Sequence, residues 1–235
     1  MHLPTAQTQF EHPLRRRPAF WSRLYKGFLS TLPRRLNWYT FTMHPLIEKQ
    51  EKLHNEASQL LQEIVLPILQ DFGEVKIGGS YAFQLLNHPD IDIDVVNADL
   101  SKELYSELCK KLISLGGTSQ FKTTDRVNFP HNHPGNRPTG YWIAPGIQYG
   151  QHIWNLDIWF QKPEWYTGKT NAFLGKMSNI TDEQKILILS MKEEAQAKNI
   201  YGVGKEFMSV DIYDGVLLEN IKTLTGLQGY KSSNR

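Results

Sequence analysis

Pro89-Asp90-Ile91-Asp92-Ile93-Asp94-Val95 is the stretch that decides how this 235-residue chain is read. Strict alternation of polar and apolar residues marks a β-strand, in which every second side chain shares a face. Ile91, Ile93 and Val95 therefore turn to a core, and Asp90, Asp92 and Asp94 project together from the other side. Successive acids on that face stand about 6.5–7 Å apart along the strand. Like charges so close raise one another's pKa, and aspartate is a poor strand former. A strand that spends three alternate positions on it needs a reason. Divalent cation binding supplies one, because hard Mg²⁺ prefers carboxylate oxygens. A solvated edge strand with acidic gatekeepers is the plain alternative.

A second alternating stretch, Trp154-Asn155-Leu156-Asp157-Ile158-Trp159-Phe160, has Leu156, Ile158 and Phe160 on its apolar face. Asp157 stands as a lone acid on the opposite face. If the two strands are neighbours, about 4.8 Å apart, Asp157 meets Asp90 and Asp92 around one ion cluster. An exposed aspartate without a role is the plain alternative for this residue taken alone.

Upstream, Gly78-Gly79-Ser80 lies between a short strand, Glu74 to Ile77, and a short helix over Tyr81 to Leu86. Glycines let the backbone turn tightly and approach an anion. Free N–H groups at a helix start, with the Ser80 hydroxyl, favour phosphate.

The remaining chain reads outward from these segments. Leu46, Leu53, Leu60, Leu61, Val65 and Leu69 recur at helical spacing over 44–72, with Pro67 placed to kink or end that helix. Ser101 to Leu115 is an amphipathic helix stopped by Gly116-Gly117. Phe121 to Phe129 and Tyr141 to Ile147 are strands, separated by a proline-rich loop over Pro130 to Thr139. His152 to Phe160 is the strand already described, and a loop follows to Ile180. Thr181 and Gln184 have capping-box spacing and open a helix to about Lys198. A final helix covers Val210 to Thr225.

Composition narrows the possibilities. Cys109 is the only cysteine, which excludes an intramolecular disulfide and a C-x-x-C metal site. It is expected to be a packed residue of its helix. Before Met43, seven basic residues face Glu11 alone, so that segment carries +6 and leaves −4 on the rest of a +2 chain. The body is mildly acidic, unlike a general DNA- or RNA-binding domain. Residues 1–42 are expected to be a disordered basic extension, or sequence ahead of a start at Met43. No stretch approaches the ~18–20 apolar residues that span a bilayer, and no signal-peptide core is present. A cytoplasmic setting is expected, and nothing argues strongly for nucleic-acid or membrane binding.

Taken together, the three motifs resemble the polymerase-β-like nucleotidyltransferase superfamily. Its pattern is a hydrophobic strand, Gly-Ser, a short helix, then Asp-x-Asp, with a third carboxylate on a later strand. Here nine residues separate Ser80 from Asp90-Ile91-Asp92, and Leu156-Asp157-Ile158 supplies the third acid. The likeness extends from Val75 to Phe160. Within the superfamily it is similar to the small-molecule and antibiotic nucleotidyltransferases, which carry a comparable DIDI and LDIWF pairing. Asp92 and Asp94 also satisfy Asp-x-Asp, so Asp94 stays a secondary candidate.

The resemblance implies an α+β fold: a small mixed sheet of four or five strands with helices on one face, and further helices at the C-terminus. It divides the chain into the basic extension 1–42, a nucleotidyltransferase domain 43–178 and a helical segment 179–235. It implies Mg²⁺, two ions held by Asp90, Asp92 and Asp157, and a nucleoside triphosphate resting on Gly79 and Ser80. Asp157 is the implied general base. The implied reaction transfers an NMP, with AMP expected, to a hydroxyl of a small-molecule or macromolecular acceptor and releases pyrophosphate. A non-catalytic nucleotide-binding module on the same fold is the alternative. Arg126 and Lys169 are weaker candidates for the triphosphate, and His131 and His133 for the acceptor. Trp142, Trp154, Trp159 and Trp165 are candidates to pave a pocket near Asp157, with simple packing the plainer reading.

Overall fold

The computed structural model describes residues 43–130, 138–168 and 175–233. The basic segment 1–42, His131, His133 and Lys169 lie outside the described residues.

Helix α1, Pro45–Leu60, begins with proline at its first turn, where a missing N–H costs nothing, and His44 caps it by accepting from the Leu46 N–H. Leu53, Ala57 and Leu60 form its buried stripe. Pro67 neither ends nor sharply breaks the helical run. It has no N–H to return to the turn before it, and the chain widens into a π turn over Leu61–Val65, where the Leu66 N–H reaches back to the Leu61 carbonyl. Helix α2, Leu66–Leu69, then completes the run.

Five strands follow: β1 (Glu74–Ile77), β2 (Asp90–Val96), β3 (Thr118–Asp125), β4 (Tyr141–Tyr149) and β5 (His152–Gln161). They form one sheet in the order β1-β2-β5-β4-β3. β2 and β5 are parallel, and every other pairing is antiparallel. The expected mixed α+β sheet is therefore present. Its apolar face carries Ile91, Ile93, Leu156, Ile158 and Phe160, all 0–1% exposed. Helix α1 and helix α4, Lys102–Ile113, cover that face and contribute Leu53, Leu60, Leu108 and Leu112.

A second core gathers around the C-terminal helices α5 (Asp182–Ala197), α6 (Ser209–Leu217) and α7 (Leu224–Ser233). The expected capping box opens α5: Thr181 Oγ1 accepts from the Gln184 N–H, and Gln184 Oε1 accepts from the Thr181 N–H. Phe83 and Leu85 belong to this second core, whereas Leu86 belongs to the first. The segment carrying Gly79 and Ser80 is thus pinned on both sides.

Several boundaries differ from the sequence reading, three of them by more than a residue or two. Helix α3 is Gly79–Ala82 rather than Tyr81 to Leu86, and Gln84, at φ 54°, has already left helical geometry. β3 starts at Thr118 and stops at Asp125, where the Asp125 carboxylate accepts from the Val127 and Asn128 N–H groups and folds the chain into a turn. The single final helix is two helices. Asn220 takes the left-handed conformation between them, at φ 53°, a role asparagine tolerates better than most residues. Among the described residues no helix is long and apolar enough to cross a membrane.

The two faces of β5 predict opposite responses to truncation. Leu156→Ala should destabilise by about 3 kcal/mol through lost burial and the cavity left behind. Ile153→Ala, on the exposed face, should stay within about 0.5 kcal/mol. Urea denaturation of both variants checks this.

Candidate active site

Because Ile91, Ile93 and Val95 are taken by the core, the period of two sends Asp90, Asp92 and Asp94 to the other face of β2. The same rule buries Leu156 and Ile158 and sends Asp157 outward from β5. The parallel register sets Asp92 directly opposite Asp157, with Asp90 opposite Asn155 and Asp94 opposite Trp159. Asp90, Asp92 and Asp157 line one cleft with Gly79 and Ser80, a space of about 530 Å³. Tyr213 of α6 also lines it, with its Oη 3.1 Å from Ser80 Oγ. Asp94, the secondary candidate, lines an adjoining cavity of about 490 Å³, where its carboxylate accepts a hydrogen bond from Gln161 Nε2 at 2.5 Å.

Gly79 explains the glycine of the Gly-Ser turn. Its φ is +58°, and a Cβ built there would lie 1.7 Å from Asp92 Oδ2. No side chain fits between this turn and the Asp92 carboxylate. The Gly78 N–H donates to the Asp92 carbonyl at 2.9 Å, which ties the turn to the strand.

The cleft is electrostatically loaded. Asp92 keeps one exposed side toward the cleft, but protein crowds it elsewhere. Loss of bulk water pushes its pKa up to about 7, the charges of Asp90, Asp157 and Asp94 add to that, and Lys192 pulls the other way. Burial and the charge of Asp157 push Asp94 up to about 6, against the Gln161 hydrogen bond and Lys76. Trp142 Nε1 donates to Asp157 Oδ1.

The donor chemistry fits a hard divalent cation. The carboxylates offer anionic oxygens, and the raised pKa of Asp92 records a charge crowding that a cation would relieve. In the conformation seen, with Asp157 hydrogen-bonded to Trp142, no three His, Cys, Asp or Glu side chains among the described residues are gathered closely enough to ligate one ion.

Several sequence candidates lie elsewhere. Trp154 faces the core, is 0% exposed and donates to Glu56 Oε1 at 2.9 Å, because it shares the face of Leu156. Trp165 packs against the main core, as does Cys109. Trp159 lines the adjoining cavity. Arg126 is in the turn after β3 rather than in a strand, buried, with its guanidinium 6.0 Å from the Trp159 ring centroid.

Lys192 escaped the sequence reading. It is fully buried, and its ammonium donates to Ser80 Oγ at 2.8 Å, Leu85 O at 2.8 Å and Tyr213 Oη at 3.1 Å. These three acceptors match its three N–H donors. A signal was present: Lys192 sits in the apolar stripe of Ile188, Leu189 and Ala195, where a lysine is anomalous. His88 was also missed. Its Nε2 lies 3.7 Å from Asp90 Oδ2, and its Nδ1 is 2.9 Å from Gln196 Nε2.

No family model matches the sequence, and no curated protein matches it. Solved structures do. Cid1, described by its RNA terminal uridylyl transferase activity, superposes with a TM-score of 0.50 at 18% identity, covering 73% of this chain and 51% of that one. A MgATP-bound mutant of the Cid1 poly(U) polymerase gives 0.52 at 19% identity, covering 71% and 50%. The fold is the nucleotidyltransferase fold. This chain spans about half the length of the solved structures it matches.

The raised Asp92 pKa has a signed consequence for stability. At Asp92 the folded state binds a proton more tightly than the unfolded state, so its contribution to the stability of the metal-free protein falls as pH rises from about 4 through about 7. Asp92→Asn removes this penalty. In EDTA the variant should melt above the wild type at pH 8, with the difference shrinking toward pH 5. A variant that melts lower at pH 8 contradicts the account.

Proposed function

We propose that this chain is a Mg²⁺-dependent nucleotidyltransferase that moves an NMP, AMP being the group we favour, from an NTP to an acceptor hydroxyl and releases pyrophosphate. The observation that carries the reading is the register that sets Asp92 opposite Asp157, beside Asp90 and the Gly79-Ser80 turn, on this fold.

Asp90, Asp92 and Asp157 are the residues that would hold magnesium. Bound there, the metal supplies charge neutralisation for the triphosphate and polarises its reacting oxygens. Gly79 brings backbone close to the phosphates. Ser80 offers its hydroxyl, and Lys192 beneath it fixes that hydroxyl and places a positive charge under the anion. Asp157 takes the proton of the acceptor hydroxyl. The freed oxygen forms a bond to the α-phosphorus as the bond to the β-phosphate oxygen breaks, and pyrophosphate leaves. Trp142 orients the base by its hydrogen bond to Asp157. We assign residues 43–178 to the domain that carries this chemistry and the C-terminal helices to closing the cleft.

Pyrophosphate release from each of the four NTPs, with Mg²⁺ and a panel of hydroxylated acceptors, tests the reading. Asp90→Asn and Asp157→Asn should each lower turnover by about a hundredfold or more with the far-UV spectrum unchanged. Wild-type turnover in both variants refutes it. Gly79→Ala should also lose activity, since the new methyl displaces the Asp92 carboxylate. Lys192→Met should raise the KM for NTP more than it lowers kcat.

A further inference from the structure

His88 lines the carboxylate cleft together with Asp90 and Gln196. Only Pro89 separates it from Asp90, and the Asp90 N–H donates to the His88 carbonyl at 3.0 Å, a tight turn that holds the two residues together. Their side chains are 37% and 38% exposed, so both are open to the cleft.

The imidazole is held from behind. Asn87, 5% exposed, donates from Nδ2 to Gln196 Oε1 at 2.9 Å. That bond orients both amides. It leaves Asn87 Oδ1 and Gln196 Nε2 facing the ring, each 2.9 Å from His88 Nδ1. The Tyr201 ring meets the imidazole edge-on, with 6.1 Å between centroids and 87° between planes. Nδ1 is closed in by amide atoms, and Nε2 is the ring nitrogen left to the cleft. Nε2 lies 3.7 Å from Asp90 Oδ2, beyond hydrogen-bond range, so neither atom is spent on the other.

A buried asparagine and a glutamine that orient one half-exposed histidine need a reason. A ligating histidine uses this arrangement. Its second ring nitrogen donates to an oxygen, which fixes the tautomer that turns a lone pair to the metal. Asn87 Oδ1 is the acceptor in place for that proton. Ligands on adjacent corners of an octahedral ion stand about 3 Å apart, since each bond is about 2.1 Å. A small side-chain rotation closes the gap between Nε2 and Asp90 to that value. Few protein ligands are needed, because such ions retain waters and take phosphate oxygens.

We infer that His88 Nε2 is a further ligand of the divalent ion at Asp90, beside the carboxylates, so that the site favours Mn²⁺ over Mg²⁺. Mg²⁺ prefers oxygen, whereas imidazole suits the transition ions, so one nitrogen in an otherwise all-oxygen site moves its preference that way. The inference rests on the transfer reading for the presence of an ion in the cleft, and not on turnover.

Electron spin echo spectroscopy of Mn²⁺ bound to the full chain tests it, because a directly bound nitrogen modulates the echo. Inorganic tripolyphosphate, which contains no nitrogen, stands in for the nucleotide. The wild type should show the modulation, and Asp92→Asn should lose the ion, which places it in the cleft. His88→Gln should abolish the modulation and weaken Mn²⁺ by more than about tenfold, with Mg²⁺ affinity nearly unchanged. Gln196→Leu keeps the ligand and removes its brace; it should keep the modulation and weaken Mn²⁺ by about tenfold. A wild-type echo without nitrogen modulation overturns the inference. So does a His88→Gln protein, folded by its far-UV spectrum, that keeps the modulation or the preference for Mn²⁺. Mn²⁺ that binds Asp92→Asn as well as the wild type, or binds neither, overturns it too. Pyrophosphate release, measured separately, judges the transfer reading: oxygen-only ligation with release removes the histidine and keeps that reading, and nitrogen ligation without release does the reverse.

Discussion

The parallel pairing of β2 with β5 is the constraint on which the rest of the site depends. It is the one parallel contact in the sheet, and it sets Asp92 against Asp157. The register is held by the opposite face, where Ile91, Ile93, Leu156 and Ile158 are buried under α1 and α4. A slip of one residue would carry every apolar side chain to the wrong side, at a cost far above that of crowding two carboxylates. The hydrophobic face thus forces the acids together, and the acids have no comparable means of escaping.

The second support comes from the other core. Ser80 belongs to the turn after β1, yet its hydroxyl is held by Lys192, 112 residues later in the chain. Leu85 and Phe83 anchor the same segment in the C-terminal core, and Leu86 anchors it in the sheet core. The Gly79-Ser80 turn is therefore fixed between two packed bodies rather than left as a free loop. This suits a group that must keep its orientation while a charged ligand enters and leaves.

How much of this was legible in the sequence follows from the range of the forces involved. β2 was readable to the residue, because alternation is local and the acids are conspicuous against isoleucine. The outward face of Asp157 followed from the same period. The placement of Asp94 did not, because its fate depends on Gln161 across the strand pair rather than on its own neighbours. For Trp154, a cleft candidate with packing as the plainer reading, the packing holds, as its parity with Leu156 requires. The break at Asn220 was masked by the apolar residues on both sides of it. Lys192 carried a visible anomaly, a lysine in an apolar stripe, but its partners lie on a distant segment.

The electrostatic balance of the cleft argues that its function and its stability pull in opposite directions. Burial and three neighbouring carboxylates hold Asp92 near neutrality in its titration, and Lys192 only partly opposes them. Lys192 gives all three of its donors to Ser80, Leu85 and Tyr213, so its charge acts on Asp92 at a distance rather than through a direct bond. A fold selected for stability alone would place asparagine or threonine at one of these positions and lose nothing from its core. Gly79 carries the same implication, since its left-handed turn exists to let backbone approach a carboxylate that the strand would be more stable without. Both features are costs without return in a merely structural sheet, and both become useful when a polyvalent cation and a phosphate chain occupy the space between Asp92, Asp157 and Ser80.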